Sequence, residues 1–102
     1  MDKTIFNGNS HNISGGRYLD DVLDELVKEL KGEELAHQQV RDEDYRGYGE
    51  AGRYVYYIPK GNLCILKICE GNSYYNRTVI LKGLKKEVDK FKEKFDEKLK
   101  NN

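Results

Sequence analysis

Five side chains between Arg53 and Lys82 have the types and spacing to hold a single-stranded nucleic acid. Tyr54 and Tyr56 lie two apart, and Lys67, Arg77 and Lys82 follow. Bases stack on tyrosine rings at about 1–3 kcal/mol each, while cations hold the backbone phosphates. A second cluster suits a different partner. Asp42, Glu43, Asp44, Tyr45, Tyr48 and Glu50 share one polar stretch, and tyrosine anchors protein interfaces while acids mimic phosphate or meet a basic groove. Two function classes are therefore expected. The first is a small non-enzymatic binding module that takes single-stranded nucleic acid on a Tyr/Lys sheet face. The alternative is a protein-binding inhibitor or adaptor of the phage and mobile-element type, anti-CRISPR-like, acting through tyrosines and an acidic loop.

Catalysis is not expected, and neither is a metal or a cofactor. The chain has no nucleophile elbow, no triad arrangement and no His/Cys set at metal spacing, and His11 and His37 read as solvated polar residues. Gly47-x-Gly49-x-x-Gly52 has the glycines of a phosphate loop. A dinucleotide site, however, needs a strand before those glycines and a helix after them, and here a β-rich run follows. In a protein kinase the glycines do lead into a strand, and Lys67 and Glu87 stand at plausible separations, but nothing resembling HRD or DFG follows.

The 102 residues carry no net charge, which argues against a dedicated double-stranded DNA binder. Charge is nevertheless split: residues 1–52 hold six basic and twelve acidic side chains, and residues 53–102 hold twelve basic and six acidic. Such halves face a ligand or attract each other, within one fold or across a dimer. With no apolar run of about eighteen residues and no secretion signal, a cytoplasmic protein without a membrane partner is expected. Cys64 and Cys69 fit that location. On one strand they point to opposite faces about 16 Å apart, too far for a disulfide.

Positioning these residues falls to an α+β domain. Residues 1–16, rich in Asn, Gly and Ser, read as an irregular N-terminal arm, and 17–102 as a single α+β domain. Leu19, Val22, Leu23, Leu26, Val27 and Leu30 predict an amphipathic helix over 17–31, with acids at its start, Lys28 and Lys31 at its end and Gly32 as its stop. Residues 35–41 read as a short edge strand. Strands are expected at 53–58, at 63–70 and from Tyr75 or Arg77 to Lys82, separated by Pro59–Asn62 and Gly71–Ser73. Leu84, Val88, Phe91, Phe95 and Leu99 then predict a long C-terminal helix. The expected fold is an N-terminal amphipathic helix, an antiparallel sheet of three to four strands, and the C-terminal helix packed on one sheet face.

Even-numbered turns would pair Ile58 with Leu63 and Glu70 with Tyr75. Val55, Tyr57, Cys64, Leu66, Ile68, Val79 and Leu81 then form a core face beneath the C-terminal helix. Tyr54, Tyr56, Ile58, Leu63, Ile65, Lys67, Thr78, Ile80 and Lys82 form the opposite face. That second face has three possible fates: open to a ligand, covered by the N-terminal helix, or buried in a homodimer or partner interface. A three-residue turn would swap the faces.

The stretches GRYVYYIPKGNLCILKICE and NRTVILKGLKKEVDKFKEKFDEKL, about half the chain, resemble the repeat of the PUR domain family, a relative of the PC4-like single-strand binders. The matching positions are Gly61, Leu63, Ile68, Glu70, Arg77, Ile80, Phe91 and Leu99, with one residue of slippage in the middle strand. The resemblance implies binding of single-stranded DNA or RNA by paired repeats, so one repeat implies a homodimer. The acidic N-terminal half departs from the basic surface of that family.

Overall fold

A four-residue turn, Pro59 to Asn62, sets the register from which the rest of the sheet grows, pairing Ile58 with Leu63. The computed structural model describes residues 1–9, 18–40, 51–69 and 76–100. They form β1 (Asp2–Asn9), α1 (Leu19–Glu29), β2 (Glu33–Val40), β3 (Ala51–Ile58), β4 (Leu63–Cys69), β5 (Asn76–Lys82) and α2 (Lys85–Lys100). The strands make one antiparallel sheet in the order β1-β5-β4-β3-β2. Thus β2 to β5 are a meander, and β1 closes the far edge against β5. The two edge strands run the same way, joined by a connection that includes α1.

Both helices lie over one face. The buried stripe of α1 (Leu19, Val22, Leu23, Leu26, Val27) and that of α2 (Val88, Phe91, Phe95, Leu99) share a single core with Tyr56, Ile58, Leu63, Ile65, Val79 and Leu81. Burial alternates strictly along β4 and β5, as it must when one sheet face is covered and the other is not. At the surface Lys98 Nζ ties α2 to α1 through Glu25 (3.1 Å) and Glu29 (2.8 Å).

The expected architecture needs correction. The sheet has five strands rather than three to four, and α1 is not the first element, because β1 precedes it. Residues 2–9, expected within an irregular arm, pair with β5 from Asp2↔Lys82 to Asn9↔Asn76, so the folded unit takes in residues ahead of the expected boundary at 17. The rest of that expected arm, with His11, lies outside the described residues. A bulge between Thr4 and Phe6 hides the strand from a period-2 reading, and it lets the adjacent Ile5 and Phe6 both pack on the core.

The larger correction concerns faces. The β3–β4 pairing is Ile58↔Leu63, but β5 meets β4 at Cys64↔Lys82 and Lys67↔Val79, one residue away from a Glu70–Tyr75 register. A one-residue slip turns every side chain of a strand to the other face. Val79 and Leu81 therefore join Tyr56, Ile65 and Lys67 beneath the helices, and Val55, Tyr57, Cys64, Leu66 and Ile68 are left on the open side.

The end of α1 also departs from simple reading. Lys31 N–H donates to the Lys28 carbonyl and Gly32 N–H to the Val27 carbonyl (2.7 Å), a Schellman closure in which the left-handed residue is Lys31 (φ 56°) rather than glycine. Gly32 is required for another reason: a β-carbon there would stand 2.9 Å from the Tyr57 carbonyl oxygen and 3.0 Å from Ile58 Cγ1. Relieving the strain at position 31 should stabilise the fold. Lys31→Gly is expected to add about 1 kcal/mol, read as a rise of several degrees in the thermal midpoint. Gly32→Ala should lower that midpoint.

Candidate functional site

Two of the three cations expected to grip phosphate, Lys67 and Arg77, are instead the polar heart of the helix–sheet interface. Asp20, in the first turn of α1, receives Arg77 as a fork: Nε to Oδ1 and Nη2 to Oδ2, each 3.1 Å. Lys67 Nζ stands 3.5 Å from the same carboxylate and 4.4 Å from the centroid of the Tyr54 ring. His37 of β2 stacks on the outer side of this group, its ring 5.1 Å from that of Tyr54. The side chains of Arg77 and Lys67 are only 3% and 7% exposed. Burial by itself raises the Asp20 pKa, but the bond from Arg77 and the charges of Lys67 and Arg77 outweigh it and hold the carboxyl below its ordinary value.

The five residues first singled out do not form one surface. Tyr54, Tyr56, Lys67 and Arg77 lie on the helix-covered face, whereas Lys82 is exposed and lies on the other, as its pairing with Cys64 requires. Tyr56 and Arg77 are only 6% and 4% exposed, too little surface for a base to stack on or a phosphate to grip while α1 is in place. The second cluster, Asp42, Glu43, Asp44, Tyr45, Tyr48 and Glu50, lies outside the described residues, as do Gly47 and Gly49.

The accessible face is the one expected to be core. Cross-strand pairing lays it out in three rows. Ala36, Val55, Leu66, Ile80 and Thr4 form the middle row. On one side run Glu33, Tyr57, Cys64, Lys82 and Asp2, and on the other Gln38, Arg53, Ile68, Thr78 and Asn7. The central side chains are half-buried, and among the described residues no helix lies above them. Two rim contacts hold this surface in shape: Tyr57 Oη donates to Asn62 Oδ1 in the hairpin turn, and Thr78 Oγ1 donates to Asn7 Oδ1 at 3.2 Å. At ~4.8 Å between strands and ~3.3 Å per residue, the face measures roughly 24 by 23 Å, about 550 Å². Sequence reasoning assigned Tyr57 and Leu66 to the core and placed Ile80 on the opposite face, whereas all three lie on the open side. The usable signal was Arg77, whose place in the same alternation as Val79 and Leu81 marks that parity as the one facing the acidic start of α1.

Two crevices flank the helices. One is lined by Leu30, Ile58, Leu63 and Phe91 below a rim that includes Lys60, Lys90 and Lys94. The other lies between α1 and the start of β2 and is acidic, with Asp24, Glu33 and Glu34 around Tyr56. Burial first, then Asp20, Asp21 and Glu34, raise the Asp24 pKa against the opposing pull of Lys67. Among the described residues no group of three or more His, Cys, Asp or Glu is placed to hold a metal ion. No described helix is long and apolar enough to cross a membrane. Cys64 and Cys69 are both free thiols, Cys69 buried and Cys64 on the open face.

No protein-family model, curated protein or solved structure matches this chain. The likeness to the PUR repeat thus rests on the residues quoted for it alone.

Proposed function

We propose that this chain is a small non-enzymatic protein-binding module that works through the open face of its sheet, and that its first partner there is a second copy of itself. The observation that carries this reading is the half-buried apolar row Val55, Leu66 and Ile80, which neither helix covers and which Tyr57, Cys64 and Ile68 border. Two copies meeting face to face would bury about 1,100 Å², just above the ~1,000 Å² that a specific interface needs.

The charge layout suits a second copy. A two-fold axis along the middle row stacks that row on itself and sets Arg53 over the partner's Tyr57 ring, a cation–π pairing. Glu33 then meets Gln38, Lys82 meets Thr78 and Asp2 meets Asn7, so no like charges oppose each other. Nucleic acid suits this face less well, because Arg53 and Lys82 are offset by Glu33 and Asp2 and, among the described residues, Tyr57 is its one ring. A homodimer also matches what the PUR-like residues imply.

Light scattering across a dilution series tests the proposal. The 11.9 kDa chain is expected to run at twice that mass when concentrated, and Leu66→Lys should hold it at the monomer mass with an unchanged circular-dichroism melt. A wild-type chain that stays monomeric into the submillimolar range would overturn the self-association.

A further inference from the structure

We propose that the crevice where α1 ends against the β3–β4 hairpin and the first half of α2 is a binding site for a small apolar carboxylate, a ring or short chain that carries one negative charge. The helix α1 stops at Glu29 with Leu30 as its cap, whereas α2 spans Lys85 to Lys100. Lys98 ties the two helices at Glu25 and Glu29, and beyond that tie no further turn of α1 packs beside residues 87–94. The gap left there is lined by Leu30, Ile58, Leu63 and Phe91 and measures about 180 Å³. An apolar cavity of about 150 Å³ takes a benzene ring, so this space suits one ring or a chain of similar bulk.

Charge gives a second observation, independent of the volume. Lys60, Lys90 and Lys94 line the crevice against a single acid, Glu87. That acid is turned to the hairpin, where a β-carbon on Gly61 would lie 2.5 Å from Glu87 Oε2. Three other lysines of α2 hold carboxylates: Lys85 that of Asp89, Lys92 that of Asp96, and Lys98 those of Glu25 and Glu29. Lys60, Lys90 and Lys94 have no ion-pair partner among the described residues.

The two features ask for one kind of ligand. A lysine lays its methylene stem on apolar surface and keeps its ammonium in water, so the three stems extend the apolar lining and leave their charges at the rim. Exposed ion pairs contribute little by themselves, which makes a bare anion such as phosphate or acetate a poor occupant. A neutral ring, in turn, leaves the charges unused. A carboxylate on an apolar body satisfies both, and an aromatic body is also attracted to nearby ammonium groups. The crevice lies on the helix side of the sheet, so self-association through the open face neither covers it nor supports it, and the two can fail separately.

The test is a ¹H–¹⁵N titration of the full chain at low ionic strength with benzoate and hexanoate. Acetate, benzyl alcohol and benzylamine serve as controls for the charge alone, the ring alone and the wrong charge. Saturable shifts are expected at Leu30, Lys60, Lys90, Phe91 and Lys94, with half-saturation on the order of a millimolar, the strength that about eight or nine non-hydrogen atoms support. Each control should bind several-fold more weakly. Lys60→Gln/Lys90→Gln/Lys94→Gln, three changes at exposed positions, should weaken benzoate several-fold with an unchanged melt, and Leu66→Lys should leave its binding as it is. The assignment is overturned if neither probe saturates these residues at about tenfold that concentration, if any control binds as tightly as the probes, or if the triple variant binds as the wild type does.

Discussion

Asp20→Ala is expected to lower the unfolding free energy by about 3–5 kcal/mol, the cost of removing one partner from a buried ion pair. In a domain whose total stability is on the order of 5–15 kcal/mol, that is a large share. Two cations meet on this carboxylate: Arg77 through both of its oxygens, and Lys67 at 3.5 Å. A shift in the urea midpoint with an unchanged slope is the expected readout. Asp20→Asn keeps the shape and should cost nearly as much, which separates charge from packing. Replacing all three residues by apolar ones of similar size (Asp20→Leu, Lys67→Met, Arg77→Met) should regain most of the loss, because a buried ion group and a well-packed apolar group are often close in stability.

The same carboxylate gives acid sensitivity a defined sign. Its folded pKa is depressed, so its contribution is present above the ordinary carboxylate range of about pH 4 and is lost as pH falls through the lower folded value. The gap between wild type and Asp20→Ala should narrow in acid from pH 4 downwards. A gap that stays constant to pH 2 would mean that the carboxylate is not what holds the two cations.

Phe95→Ala should cost a similar amount, about 3–5 kcal/mol, by opening a cavity. Phe95 is fully buried beside Phe91, with ring centroids 6.4 Å apart, in the core shared by both helices and the sheet. Leu84 offers the contrast. It fits the same helical spacing but is 67% exposed, so Leu84→Ala should change stability by no more than about 0.5 kcal/mol. Equal effects at the two sites, in a denaturant series, would mean that the C-terminal helix does not pack as described.

The helices were the most legible part of the fold. Their stripes at Leu19–Leu30 and Leu84–Leu99 repeat without interruption, and α1 and α2 occupy those positions, except that Leu30 caps α1 and Leu84 precedes α2 and faces solvent. The edge strands were harder to read, because each carries a bulge, at Thr4/Phe6 and at Glu34/Ala36, where the alternation of inward and outward residues breaks. The choice of face was not decidable from β3 and β4, where both parities are apolar: Tyr56, Ile58, Leu63 and Ile65 against Val55, Tyr57, Leu66 and Ile68. Only β5 distinguishes them, and its parity depends on one residue in the turn before it. The faces of the candidate residues were hard to read for the same reason. Tyrosines and lysines on a strand look alike whether they face solvent or a helix that begins with Asp20.

Pairing of β1 with β5 also orders events during synthesis. The meander from β2 to β5 can form from neighbours as they emerge, but β1 is made first and its partner follows some seventy residues later. At about 5–20 residues per second, β1 waits roughly 4–15 s before β5 exists to receive it. Throughout that interval Ile5 and Phe6 have no core to enter. Completion of the sheet is therefore a late, long-range step, and a ribosome-bound chain stalled before residue 76 should remain vulnerable to proteolysis within residues 2–9.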